Sequence, residues 1–119
     1  MQGVQFTATS TVAENQTLSF PMYLHSISNN NDNQDVVSMG TNAALMTHKV
    51  INNSFEVLAI QTMTLLQIID FSKCQERLSP TTKKIYSDIR AFFPVFIEDS
   101  VKYKDQQKVR QYLETAVPI

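Results

Sequence analysis

Few residues of this chain have both the type and the spacing that chemistry requires. His25, His48 and Cys74 are the zinc-type side chains, but they stand 23 and 26 residues apart, whereas compact zinc motifs separate paired ligands by roughly two to five residues. Cys74 as a nucleophile would need an activating base, and none stands beside it in sequence. Glu14, Glu56 and Glu98 are isolated, so no carboxylate pair suggests general acid–base work. Tyr86 and Tyr103 suit the edge of a core as well as a ligand contact. Polar side chains are densest over residues 29–35, where consecutive Asn residues lead into Gln34 and Asp35. Such amides both donate and accept; in a loop they also bond nearby backbone groups. Asp35 and Ser38 precede a helical pattern and are expected to cap it.

The elements that must position these residues separate by periodicity into four segments. Over residues 1–18, Val4, Ala8, Thr11 and Val12 recur at helical spacing, with Ala13 and Leu18 widening the stripe, although the many threonines lower helix preference. The pattern is already running at residue 2, with no capping residue before it, and reads as a core helix cut in its middle. Residues 19–36 lose periodicity at Pro21 and become polar, which predicts a long loop. Loops of that length are usually functional or disordered.

Residues 37–72 carry two adjacent apolar stripes. Met39, Ala43, Met46, Val50, Val57, Ile60 and Thr64 form one; Ile51, Phe55, Leu58, Leu65, Leu66 and Ile69 form the other. Such width predicts a helix with neighbours on several sides, as in a bundle. It would span roughly 50 Å, against roughly 35 Å for the diameter of a compact domain of this length. Its ends must therefore project, and a projecting apolar stripe calls for an oligomer or a larger body. Residues 73–119 read as a small helical subdomain. A turn at Leu78-Ser79-Pro80 precedes a short helix near 81–92, Pro94 breaks it, and a last helix follows near 104–116. Pro80 preorganises a first helical turn, and Ile85, Ile89, Phe92, Phe93 and Phe96 supply a core. The predicted class is all-α.

Composition excludes several functions. With 119 residues, 43% of them hydrophobic, and a formal net charge of −1, the chain is at most one domain and offers no electrostatic partner. Ten Lys and Arg against eleven acids give no basic face of the kind nucleic acids require. One cysteine cannot form an internal disulfide, which suits a reducing compartment, and the polar first ten residues do not form a secretion signal. Asn15-Gln16-Thr17 and Asn52-Asn53-Ser54 match the glycosylation pattern by chance. Glu56, Gln61, Gln67 and Asp70 interrupt the apolar run 55–71, which argues against a membrane span. The expected location is cytoplasmic, with neither nucleic acid nor membrane as partner.

Two runs carry a family resemblance: Asn33-Gln34-Asp35-Val36-Val37-Ser38-Met39-Gly40, and residues 1–15, which end in Thr11-Val12-Ala13-Glu14-Asn15. They resemble the substrate-side loop, and the core helix before it, of the aromatic amino acid ammonia-lyases, the group of histidine, phenylalanine and tyrosine lyases and related aminomutases. The likeness continues through Ser54-Phe55-Glu56-Val57-Leu58-Ala59-Ile60 to about Asp99 and is strongest to the bacterial tyrosine and histidine lyases. It implies the C-terminal part of a mainly helical, homotetrameric enzyme that eliminates ammonia from L-tyrosine, L-phenylalanine or L-histidine to give an aryl acrylate.

The family's electrophile is a methylidene-imidazolone (MIO) made by cyclising an Ala-Ser-Gly tripeptide. This chain has only Gly3 and Gly40, and neither follows Ala-Ser. The resemblance therefore implies no catalytic residue here, an MIO formed in an N-terminal portion, and no activity for these residues alone. A free-standing helical interaction module derived from such a lyase is the alternative.

The resemblance also assigns two substrate-binding residues. Gln34 stands just before the Asp of the motif, where histidine-specific members carry Glu and phenylalanine and tyrosine lyases carry Gln. A carboxylate there can accept from an imidazole N–H, but opposite a phenyl or phenol ring it would lack a partner. Asn30 matches a second substrate-proximal Asn. Ser28 replaces the family's usual Pro after Ser-Ile, which loosens the expected loop.

Overall fold

The structure, a computed structural model, describes residues 2–21 and 39–115. Four α-helices occur among them: α1 (Gln2–Leu18), α2 (Gly40–Phe71), α3 (Pro80–Arg90) and α4 (Tyr103–Thr115), with a 3-10 turn at Gln75–Arg77 before α3. No strand occurs among the described residues. The chain is elongated, with a radius of gyration of 19.9 Å and extents of 66 × 31 × 21 Å. A compact chain of this length would have a radius near 13–14 Å. The excess length is that of α2, about 48 Å at 1.5 Å per residue.

α1 forms despite its threonines because their hydroxyls turn back onto the helix. Thr9, Thr11 and Thr17 each donate to the carbonyl four residues earlier, at 3.0 to 3.3 Å, which satisfies the hydroxyls without breaking the ladder. Its half-buried positions are Val4, Ala8, Thr11, Asn15 and Leu18, the spacing of a packing seam. Val12 and Ala13, expected in the stripe, face solvent instead. Asn15 takes that place.

α1 and α4 both pack on α2. The first predicted stripe of α2 is covered along its length, from Met39 through Val50 to Thr64. The second is covered at Phe55, Leu66 and Ile69, while Ile51, Leu58 and Leu65 are exposed. The core lies at the far half of α2, where Ala59, Met63 and Leu66 meet Ile89, Phe93 and Val109. Ile85, Phe92 and Phe96 pack against that cluster. Ser79 caps α3 by accepting from the Thr82 backbone N–H at 3.2 Å, with Pro80 in the first turn.

One polar cluster ties this half together. Arg90 donates to Asp70 at 2.5 Å, to Gln67 Oε1 at 3.0 Å and to the Phe93 carbonyl at 2.9 Å, with its guanidinium 4.9 Å from the Phe93 ring. Gln67 donates to the Phe96 carbonyl at 2.8 Å, and Asp70 also accepts from Gln75 at 2.9 Å and from the Tyr86 hydroxyl. Burial by itself would raise the Asp70 carboxyl. The hydrogen bonds from Tyr86 and Gln75 and the Arg90 charge outweigh it and hold the group below its ordinary value.

α2 ends in a Schellman turn, in which Lys73 and Cys74 N–H groups return to the carbonyls of Asp70 and Ile69 at 3.1 and 3.2 Å. The motif needs a left-handed residue, usually glycine, and here Lys73 takes it at φ 50°.

Two outcomes follow in urea titrations followed by circular dichroism. Lys73→Gly relieves the left-handed strain and is expected to stabilise the chain by about 1 kcal/mol; a lower midpoint would contradict this. Arg90→Ala leaves the half-buried Asp70 without its counter-charge, though still bonded to Tyr86 and Gln75, and is expected to destabilise by about 3 kcal/mol. Because the Asp70 carboxyl is depressed in the folded state, its contribution is complete above the ordinary carboxylate range and is lost as pH falls through the depressed value. Asp70→Asn should therefore flatten the acid limb of stability against pH, and an unchanged limb would refute the assignment.

Candidate functional site

Gln34 and Asn30, with His25, Asp35 and Ser38, lie outside the described residues. The frame that carries their segment is described on both sides. On the α1 side Ser19 closes the helix, its Oγ donating to the Gln16 carbonyl at 2.7 Å, and Phe20 and Pro21 follow. On the α2 side Met39 is the N-cap, without a side-chain capping bond; its carbonyl accepts from Ala43 at 3.0 Å.

Between these two stems lies a cleft of about 370 Å³, lined by Leu18, Phe20 and Pro21 on one side and by Ala43, Met46 and Val50 on the other. Its polar members are already engaged. Thr47 donates to the Ala43 carbonyl at 2.8 Å, and Asn15 accepts from Asn53 at 2.9 Å. The described lining holds no nucleophile, acid or base. It can accommodate an apolar or aromatic group, and catalysis would have to come from elsewhere.

The strongest electrostatic feature beside the cleft is a junction of α1 and α2. Lys49 donates to Glu14 Oε1 at 2.5 Å, and Asn53 donates to Glu14 Oε2 at 2.9 Å. These bonds, from Lys49 first and Asn53 second, hold the Glu14 carboxyl below its ordinary value. It is thus a fixed negative charge at neutral pH, not a proton donor. Sequence reasoning left Glu14 isolated because its partners stand 35 and 39 residues away. Glu56 likewise meets Arg110 at 3.5 Å, and Arg110 reaches Asn52 at 3.2 Å and Glu114 at 2.7 Å, fastening α4 to α2.

His48 is exposed, with Nδ1 3.1 Å from the Asn52 amide. Cys74 is half-buried and its Sγ donates to the Ile69 carbonyl at 3.7 Å. Among the described residues no three His, Cys, Asp or Glu side chains cluster as metal ligands do. Tyr86 is a structural donor to Asp70. Tyr103 is exposed and lines, with Phe96 and Lys102, a second groove of about 310 Å³ where α1 begins. Lys102 sits 4.2 Å from the Phe96 ring and 3.6 Å from Asp105.

Residues 1–91 match the family model for aromatic amino acid lyases. A histidine ammonia-lyase of Staphylococcus saprophyticus is 39% identical over 111 residues, covering 93% of this chain and 22% of the relative. One of Staphylococcus aureus is 38% identical over 114 residues, covering 96% of this chain and again 22% of the relative. Among solved structures, a tyrosine aminomutase from Streptomyces globisporus superimposes with a TM-score of 0.89 at 36% identity, over 94% of this chain and 21% of that one. The chain thus spans about a fifth of the length of these relatives.

Proposed function

The chain belongs to the aromatic amino acid lyase family, and from that premise we propose that it is the C-terminal part of an ammonia-lyase that eliminates ammonia from an L-amino acid to leave an aryl acrylate. The observation that carries this is the 39% identity to a histidine ammonia-lyase across nearly the whole chain, with the tyrosine aminomutase superposition in support. L-histidine, L-tyrosine and L-phenylalanine are the substrates proposed, in a cytoplasmic homotetramer.

The prosthetic group of such an enzyme supplies the electrophile. These 119 residues contain no Ala-Ser-Gly, so they do not form it, and no step of the chemistry is assigned to them. Their contribution is a wall of the substrate pocket. We assign Gln34 and Asn30 to that wall. Gln34 presents a neutral amide that can donate or accept toward a ring substituent and leaves no carboxylate stranded against a phenyl or phenol ring. The apolar cleft between the stems of their segment fits a pocket for an aromatic side chain.

A second proposed reading has one observation in its favour. Leu45, Ile51, Leu58, Leu65 and Ile68 expose an apolar stripe along α2, as expected of a helical module that assembles with other chains. In the tetrameric enzyme the same stripe would be covered by helices of the assembly.

Two measurements test the lyase reading. The 119-residue chain alone should release no ammonia and no aryl acrylate from any of the three amino acids, and turnover by it would overturn the division of labour. In the intact enzyme Gln34→Glu should raise the ratio of histidine to tyrosine turnover by about tenfold. An unchanged ratio would remove Gln34 from the pocket.

A further inference from the structure

Three residues at the contact of α2 with α4 have hydrogen-bonding needs that only one protonation state meets. His48, Asn52 and Glu56 follow one another at helical spacing on α2, and Arg110 of α4 reaches the latter two. Arg110 donates from one terminal nitrogen to Asn52 Oδ1 at 3.2 Å, from the other to Glu56 at 3.5 Å, and from Nε to Glu114 at 2.7 Å. The amide nitrogen of Asn52 lies 3.1 Å from His48 Nδ1.

A guanidinium only donates, so Arg110 fixes the Asn52 amide with its oxygen toward α4 and its NH2 toward His48. That NH2 also only donates. His48 Nδ1 must therefore accept, as it does in the neutral ring with the proton on Nε2. A second proton puts an N–H on Nδ1, directly opposite the Asn52 NH2. Flipping the amide would offer its oxygen to the imidazolium but would turn the NH2 against Arg110. In either orientation two donors meet. The bond of Asn52 to an imidazolium and its bond to Arg110 exclude each other, and histidine is the side chain whose charge changes between about pH 5 and 8.

We propose that His48, Asn52 and Arg110 form a proton-operated latch between α2 and α4, closed while the imidazole is neutral and loosened in mild acid. His48 is exposed, so a proton reaches it without any opening of the fold. The remaining charged groups at the contact have partners of their own among the described residues. Glu56 and Glu114 stay on Arg110, and Lys49, beside His48, is held by Glu14 of α1. Acid thus removes one bond and does not detach the helix, because Val109 remains in the core with Ala59 and Met63. The loosening falls on the turns of α4 around Arg110. It goes beyond the lyase reading and does not depend on it.

The test is amide hydrogen exchange on the intact protein, read by mass spectrometry for peptides of α4 and α3 at about pH 7.5 and about pH 5.5. Rates are corrected for the intrinsic pH dependence of amide exchange. In the wild type, protection of α4 should fall by about fivefold in acid, the worth of one hydrogen bond, while α3 changes by less than about twofold. His48→Asn places an amide oxygen where Nδ1 stands, accepts at either pH, and should abolish the fall. Asn52→Asp supplies a carboxylate that accepts from imidazolium and guanidinium together, so α4 should become better protected in acid. An α4 whose protection is the same at both pH values in the wild type would overturn the latch. So would an undiminished fall in His48→Asn or in Asn52→Asp.

Discussion

A helix of 32 residues cannot be enclosed by the rest of a 119-residue chain, and every other element is arranged by that constraint. α1 and α4, about 25 and 20 Å long, are each shorter than α2. α1 covers it from the Gly40 end, α4 and α3 cover the far half, and their coverage meets around Ala59 and Met63, which are 0% exposed. There α2 has its buried residues, Ala59, Ile60, Met63 and Leu66. Outside them, burial falls away along one face, so that Phe71 at the C-terminal end is 92% exposed. The shape of the chain is that of a strut with two partial coverings.

The half of the strut that does hold a core owes its geometry to Arg90. Apolar contact alone would let the segment after α3 leave at many angles, because the hydrophobic effect has no direction. The guanidinium supplies the direction: its planar fork joins Asp70 and Gln67 on α2 to the Phe93 carbonyl, and Gln67 carries the link to Phe96. The Phe93 carbonyl is thereby partnered by Arg90 of α3 itself, and the Phe96 carbonyl by Gln67 of α2. The Phe93 and Phe96 rings then lie 5.9 Å apart against the core. Charge fixes the turn, and the aromatic rings fill the space it encloses.

Much of this was legible in the sequence, and the exceptions share a cause. Ser79-Pro80 announced the start of α3, the two stripes announced α2 to within a few residues at each end, and Ile85, Ile89, Phe92, Phe93 and Phe96 all lie in or against the core. Each of these signals is local, either a periodicity or a cap. Contacts between polar residues far apart in sequence gave no such signal. Glu14 with Lys49 and Asn53, Glu56 with Arg110, and Asp70 with Arg90 looked like isolated charges or interruptions of an apolar run. The polarity pattern favours Val12 over Asn15 because it cannot recognise an amide that another helix will satisfy. Lys73 in a left-handed turn was equally silent, since the residue normally used there is glycine. The proposed site residues came from family resemblance, not pattern, because an Asn-rich loop has no periodicity to read.

Length and composition alone would let α2 cross a membrane, but polar residues lie on its neighbour and along the face it exposes. A bilayer core is about 30 Å of hydrocarbon, and α4, which packs on α2, would be drawn toward it. α4 carries Lys104, Asp105, Lys108, Arg110 and Glu114 within 13 residues. The exposed stripe itself is interrupted: Ser54 and Gln61 alternate with Ile51, Leu58 and Leu65, one turn apart on the same face. Ser54 satisfies itself on the Val50 carbonyl at 2.8 Å. The exposed amide of Gln61 would be stranded in lipid, while against a second protein surface it can find a partner. The face of α2 left bare by this chain is therefore chemically suited to contact with another protein surface.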